Sequence, residues 1–196
     1  MILRAIATLA MLFALTGTVS AQQIDPTKLK QGFVMKFYPI IDPTKPDVPK
    51  GRAIASLVYN DGFPVSYFKP FDMQPALKKY QDKWWLLEFD GYLNLTDNGD
   101  YTFATTLSTG KEWATCGSEL FLNGVSINKV AHKQHEGNRN AYKDIPLAAG
   151  LYPIKIKFFC TDRRHTNVPQ FELAVRGPRD PMALPFAARN VFHLVE

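Results

Sequence analysis

The sequence predicts an all-β fold: one antiparallel β-sandwich or barrel that follows a cleaved leader. With 196 residues and an apolar content of 46%, the chain can bury one sizeable core but hardly two. An aromatic content of 13%, with 14 prolines and 12 glycines spread along the chain, is typical of short strands joined by turns. Pairs that accept the positive φ of tight hairpins separate the apolar runs, namely Asp61-Gly62, Asp90-Gly91, Asn98-Gly99 and Asn123-Gly124.

The first 21 residues have the three-part pattern of a secretory signal peptide. Arg4 supplies the positive charge, an apolar run follows over 5–15, and the segment ends in the small residues Ser20 and Ala21. A membrane anchor is the rival interpretation, but the apolar run is shorter than the ~20 residues that a spanning helix needs. We therefore expect a mature chain from Gln22, without a transmembrane segment, exported to the periplasm, the cell surface or the medium.

Strand patterns fill most of the mature chain. The clearest strand places Tyr152, Ile154 and Ile156 on one face and Lys155 and Lys157 on the other, a period of two. Only 75–81 has a helical pattern. Strands are predicted at 32–38, 53–59, 84–95, 101–107, 119–122, 150–160 and 170–175.

The chain divides into a leader (1–21), an N-terminal arm (22–31), one sandwich domain (32–177) and a C-terminal tail (178–196). The sequence has no internal repeat, and no long linker divides the mature part. The tail carries several apolar side chains, so we expect it to pack on the domain or on a partner. These are Met182, Leu184, Phe186 and Phe192.

If the protein is exported, its two cysteines are candidates for a disulfide, because thiols can pair in an oxidising compartment. A Cys116–Cys160 disulfide would close a loop of 160 − 116 = 44 residues. In the chain-entropy model such a loop stabilises the fold by about 4 kcal/mol. The alternative is two separate buried thiols.

Three segments, taken in order along the chain, resemble the PA14 domain family. The first pairs Phe89-Asp90-Gly91-Tyr92-Leu93 with Gly99-Asp100-Tyr101-Thr102-Phe103, the second is Gly117-Ser118-Glu119-Leu120-Phe121-Leu122-Asn123-Gly124, and the third is Leu147-Ala148-Ala149-Gly150-Leu151-Tyr152-Pro153-Ile154. The resemblance implies a β-sandwich or barrel-like fold found in secreted adhesins, glycosidases and toxins, where many members bind carbohydrate.

The resemblance also indicates which positions would bind calcium. In sugar-binding members two adjacent aspartates hold a calcium ion, which accepts sugar hydroxyls as ligands. Those positions are Thr115 and Cys116 here, and neither supplies a carboxylate. We therefore expect ligand binding without calcium. A Cys116–Cys160 disulfide would hold in place the loop that calcium holds in the sugar-binding members.

The ligand site is predicted at one end of the sandwich. The segments 113–116, 132–143 and 161–168 would meet there if Cys116 bonds Cys160, and they would form a basic rim beside one aromatic side chain. Such a rim favours an acidic glycan or an acidic protein surface, because Arg binds carboxylates in a bidentate fork. The alternative is solvated charged loops. The predicted ligand-binding residues are Trp113, Arg139, Lys143, Arg163, Arg164 and His165.

Other chemistry is disfavoured, so we expect neither catalysis nor a cofactor. His132 and His135, with His165 or Asp162, could bind a metal, but the polar stretch 131–143 is predicted to be a loop with solvated histidines. No nucleophile elbow or phosphate loop occurs. Asp90, Asp97 and Asp100 could suggest a carboxylate pair for glycoside hydrolysis, but Asp97 and Asp100 flank a hairpin turn, where Asp is favoured. After loss of Arg4 the formal charge is +5 − 1 = +4, without a basic run that would indicate nucleic acid.

Two functions remain. The first is an exported recognition module that binds a glycan or another envelope or cell-surface ligand. The second is a structural or adaptor subunit of an envelope assembly such as a pilus, secretion or conjugation apparatus, with an envelope protein as partner.

Overall fold

The structure is a computed structural model that describes residues 24–63, 65–66, 74–80, 83–109, 113–161, 170–186 and 190–195. These residues form two antiparallel sheets and two short 3₁₀ helices, Pro26–Lys28 and Pro75–Tyr80, so the predicted all-β sandwich is confirmed. None of the helices within those ranges has the length and apolar character needed to cross a membrane.

The first sheet has eight strands. The strands are β1 (Leu29–Gln31), β2 (Phe33–Pro39), β3 (Ala55–Tyr59), β5 (Trp85–Leu95), β7 (Ala114–Leu122), β8 (Val125–His135), β10 (Gly150–Cys160) and β13 (Val191–Leu194). Their order is β1-β13-β5-β10-β7-β8, and β2 also pairs with β5 and with β3. The central pair, β5 and β10, runs in register over eleven residues, from Gly150 opposite Leu95 to Cys160 opposite Trp85.

The second sheet has five strands and covers the inner face of the first. The strands are β4 (Val65–Ser66), β6 (Gly99–Ser108), β9 (Asn138–Leu147), β11 (Gln170–Arg176) and β12 (Leu184–Pro185). Their order is β12-β11-β6-β9, and β4 also pairs with β11, at Gln170 and Phe171.

The core lies between the sheets and is mostly aromatic. Ile154, Ile156 and Phe158 of β10 are buried there, as their period of two predicts. The Trp85 ring meets Phe158 edge to face at 5.0 Å between centroids, and Phe158 stacks on Phe171 of the second sheet at 5.7 Å. Each such side chain contributes about 1.5–3 kcal/mol by burial, so these contacts hold the sheets together.

The tail residue Phe186 closes one side of this core. It is buried, and its ring lies 6.3 Å from that of Phe33 on β2. Met182 and Leu184 are exposed, so these two side chains remain outside the core.

The segment 40–54 crosses the outer face of the first sheet. Tyr38, Leu86 and Phe159 form a small buried cluster there, with Ile40 and Ala53 packed against it. Apolar side chains therefore lie on both faces of this sheet, which explains why the outward-facing Phe159 is apolar.

The stretch 131–143 comprises the end of β8, a turn and the start of β9, which belong to different sheets, so the predicted loop is wrong. Cys116 pairs with Lys133 and Ser118 with Val130, which leaves Ala131 and His132 opposite the single residue Gly117. This bulge shifts the alternation of β8 by one residue, and a period-two pattern therefore fails to detect the strand.

Gly91 is also placed differently from expectation. The pair Asp90-Gly91 lies inside β5 rather than in a hairpin turn. A β-carbon on Gly91 would lie 2.6 Å from Val191 Cγ1 and 3.1 Å from the carbonyl oxygen of Phe192. The glycine is needed for the close approach of β13 and not for a positive φ.

Candidate functional site

A disulfide between Cys116 and Cys160 fixes the end of the first sheet. The two residues are direct partners on the neighbouring strands β7 and β10, and the sulfur atoms are 2.02 Å apart. The predicted pairing is confirmed and separate thiols are excluded. Both cysteines are buried, so the disulfide is part of the core.

Hydrogen bonds next to the disulfide also connect the ends of these strands. The amide of Thr161 donates to the carbonyl oxygen of Thr115 at 2.9 Å. His132 Nε2 lies 2.8 Å from Thr161 Oγ1, and the His132 ring packs on Phe159 at 5.7 Å between centroids. The ends of β7, β8 and β10 are therefore held together.

Trp113 lies directly before β7 at this end. Its side chain is 52% exposed, the largest aromatic surface beside the disulfide. The next residue, Ala114, pairs with His135 at the end of β8. Trp113 therefore lies next to the turn that joins β8 and β9 and is partly exposed there, and its role in ligand binding stays a prediction.

His135 is buried, not solvated as the loop prediction implied. It is 6% exposed, Nδ1 lies 3.1 Å from the carbonyl oxygen of Lys133, and Nε2 has no hydrogen-bond partner. Burial lowers the pKa of His135, and the charges of Arg139 and Lys133 lower it further, although the bond to Lys133 acts the other way. The ring is therefore neutral at neutral pH.

Arg139 lies close to the same turn. It pairs with Leu107 of β6, and its Nη1 donates to the carbonyl oxygen of Ala131 at 2.6 Å. The amide of Thr109 donates to the carbonyl oxygen of Gly137 at 3.0 Å, which ties the second sheet to this turn. Arg139 is half-buried, so its guanidinium is positioned rather than freely solvated.

The remaining predicted site residues are not brought to this cluster. Lys143 is exposed and pairs with Phe103, four residues beyond Arg139 on β9. At the rise of an extended strand this separation is about 13 Å. Arg163, Arg164 and His165 lie outside the described residues.

The metal alternative involves His132 and His135 together with His165 or Asp162. No group of three or more His, Cys, Asp and Glu side chains occurs in the described ranges. His132 Nε2 is already bonded to Thr161. Asp162 and His165 are outside the described residues, so the part of the alternative that involves them remains a prediction.

Of the aspartates considered for glycoside hydrolysis, Asp90 and Asp97 lie in different parts of the fold. Asp90 is on the outer face of the first sheet, 2.9 Å from Lys36 Nζ and 3.3 Å from Lys155 Nζ. Asp97 is in the turn between β5 and β6, 2.9 Å from Arg179. Each carboxylate therefore has its own cationic partner in a different part of the fold.

A groove on the outer face of the first sheet was missed by the sequence analysis. Its volume is about 900 Å³. The period-two pattern predicts that the lysines of β10 face outward. It does not predict that residues of β2 and β13 line the same groove. Its lining includes Val34, Lys36, Asp90, Tyr92, Lys155 and Leu194.

Comparison with solved structures identifies the fold. A PA14 sugar-binding domain from an RTX adhesin matches with a TM-score of 0.57 and 16% identity, over 83% of this chain and 98% of that chain. The PA14 domain of the antifreeze protein MpAFP matches with a TM-score of 0.58 and 15% identity, over 88% and 96%. The chain has a PA14-like fold.

The A domain of epithelial adhesin 9 from Candida glabrata, in complex with Galβ1-4GlcNAc, shares this PA14-like architecture. Its TM-score is 0.59 at 12% identity, over 90% of this chain and 95% of that chain. No family model and no curated protein matches the sequence.

Proposed function

We propose that this PA14-like protein is an exported, non-catalytic recognition module that binds a glycan at the end of the sandwich beside the Cys116–Cys160 disulfide. The observation that carries the proposal is the exposed indole of Trp113 on a strand end that the disulfide fixes. A rigid aromatic face binds a sugar ring with little loss of conformational entropy.

The comparisons support a glycan as the ligand class. One of the similar structures is a sugar-binding domain, and another contains Galβ1-4GlcNAc. The half-buried Arg139 adds a positioned donor for a hydroxyl or carboxylate at this end, and Arg163, Arg164 and His165 would add positive charge. An acidic glycan would use both features.

Export is supported by the leader pattern and by the disulfide. A thiol pair that is oxidised in the folded protein is typical of the periplasm or the outside of the cell. N-terminal sequencing of envelope material should return a chain that begins at Gln22, and recovery of Met1 would contradict export with cleavage.

The binding proposal is tested on a glycan array with wild type, Trp113→Ala and Tyr142→Ala. Tyr142 is the matched control because it is an aromatic residue, 67% exposed, on β9. We expect wild type and Tyr142→Ala to retain the same glycans and Trp113→Ala to lose about tenfold or more in affinity. Equal binding by all three proteins would contradict the proposed site.

A structural or adaptor subunit is the second candidate, and one observation favours it. The segment 40–54 presents Ile41, 68% exposed, and Val48, 52% exposed. Apolar side chains projecting from an anchored segment are typical of a protein contact. An Ile41→Ser/Val48→Ser variant that no longer enriches with envelope protein complexes, while wild type does, would favour this candidate.

A further inference from the structure

His135 carries a buried polar atom that the fold leaves without a partner. In the part of the chain that the structure describes, only Ser118 Oγ and His135 Nε2 are buried side-chain nitrogen or oxygen atoms without a hydrogen bond. Ser118 lies within the first sheet between Phe158 and Val130. His135 instead ends β8, beside the residue that follows Trp113.

The tautomer of His135 follows from its hydrogen bond. A carbonyl oxygen can only accept, so the 3.1 Å contact with Lys133 requires the hydrogen on Nδ1. In the neutral ring, Nε2 then carries an unshared lone pair. A buried acceptor of this kind is costly unless a donor satisfies it.

The charged groups around His135 favour an uncharged hydrogen-bond donor. Arg139 and Lys133 act on His135 as positive charges and lower its pKa, so a cation at Nε2 is disfavoured. A neutral hydroxyl brings no charge and donates one hydrogen bond. Nε2 itself is closed to solvent, so neighbouring side chains must move aside to admit the hydroxyl.

We propose that His135 Nε2 accepts a hydrogen bond from a hydroxyl group of the bound glycan. This inference rests on the proposed function and adds a residue to it: Trp113 contacts the face of the sugar ring, and His135 selects a hydroxyl that points inward. The fold retains an unsatisfied acceptor because the ligand satisfies it, a common arrangement at binding sites.

The test compares wild type with His135→Phe and His135→Gln. Phenylalanine keeps a ring but has no acceptor, whereas the glutamine amide oxygen can reach the position of Nε2. The probe is the free oligosaccharide that wild type retains most strongly on an array that includes Galβ1-4GlcNAc. We expect His135→Phe to bind about tenfold more weakly and His135→Gln to bind within about threefold of wild type.

Two further readouts separate a ligand contact from a structural role. Without ligand, the thermal midpoint of His135→Phe should stay within a few degrees of that of wild type, because removal of the unsatisfied atom offsets loss of the hydrogen bond from Nδ1 to Lys133. The ¹⁵N resonance of Nε2 in wild type should move when the probe binds. An Nε2 resonance that is unchanged at saturation would overturn the inference, whatever the midpoint.

The outcomes also distinguish this inference from the proposed function. If His135→Phe binds as wild type does while Trp113→Ala loses binding, the inference fails and the glycan site stands. If wild type retains no glycan from the array, the proposed function fails and the inference fails with it.

Discussion

His132 and His135 lie three residues apart on β8, and the bulge opposite Gly117 gives them different environments. His132 packs on Phe159 and bonds to Thr161, while His135 is enclosed beside Arg139 with one nitrogen free. Burial lowers the pKa of both rings. The same residue type therefore serves as an anchor at one position and as a candidate ligand contact at the other.

The two histidines should make stability depend on pH. Unfolded histidine has a pKa of about 6.5, and both folded values lie below it, so the unfolded state binds more protons in between. Stability is therefore full above about pH 6.5 and is lost as the pH falls through the folded pKa values. Urea unfolding of wild type at pH ~7.5 and ~5.5 should show this loss.

The control is the double variant His132→Gln/His135→Gln, which removes both rings. We expect its free energy of unfolding to change less than that of wild type between the two pH values. An equal change in both proteins would mean that other groups, such as carboxylates, determine the acid sensitivity.

At the scale of elements, the strands with unbroken alternation were predictable and the irregular ones were not. The sequence predicted β10 and both disulfide partners, because its inward side chains alternate without interruption up to Cys160. It failed at 131–143, since the bulge shifts the period of β8 and many residues of β8 and β9 are exposed to solvent. The groove between β2, β10 and β13 depends on strand order, which no local pattern encodes.

The disulfide joins β7 to β10 and should contribute strongly to stability. For a loop of 44 residues the chain-entropy model gives about 4 kcal/mol. We expect the Cys116→Ser/Cys160→Ser variant to lose about that free energy of unfolding, or more if the buried hydroxyls remain unpaired. Urea denaturation with and without reductant measures it.

Reduction provides the control for this prediction. The reductant should destabilise wild type and leave the double serine variant unchanged. If reduced and oxidised wild type unfold at the same urea concentration, the covalent link contributes nothing and the end of the sandwich is held by packing alone.

At the scale of the whole molecule, the PA14-like sandwich brings the ends of β7, β8 and β9 together and covers the outer face of the first sheet with 40–54. The candidate site needs this entire arrangement, because Trp113 and His135 come from different strands and Arg139 from the other sheet. Sequence reasoning proposed Trp113 and Arg139 from residue type, and it expected a solvated His135, whose burial appears only in the fold.

Calcium should have no effect on this molecule. Thr115 offers its carbonyl oxygen to Thr161, and Cys116 is in the disulfide, so neither position supplies a carboxylate. We expect the same thermal midpoint with calcium and with EDTA. A tight site in calorimetry would show that oxygen ligands from elsewhere in the chain form a calcium site.

The location of the ligand is measured by backbone amide chemical-shift mapping. The probe is the free oligosaccharide selected on the array, titrated into ¹⁵N-labelled wild type in EDTA. We predict that the amides whose shifts change lie at the disulfide end, including Thr115, Gln134, Gly137 and Thr161. Changes confined to the outer-face groove, at residues such as Lys36 and Lys155, with the disulfide end unchanged, would contradict the proposed site.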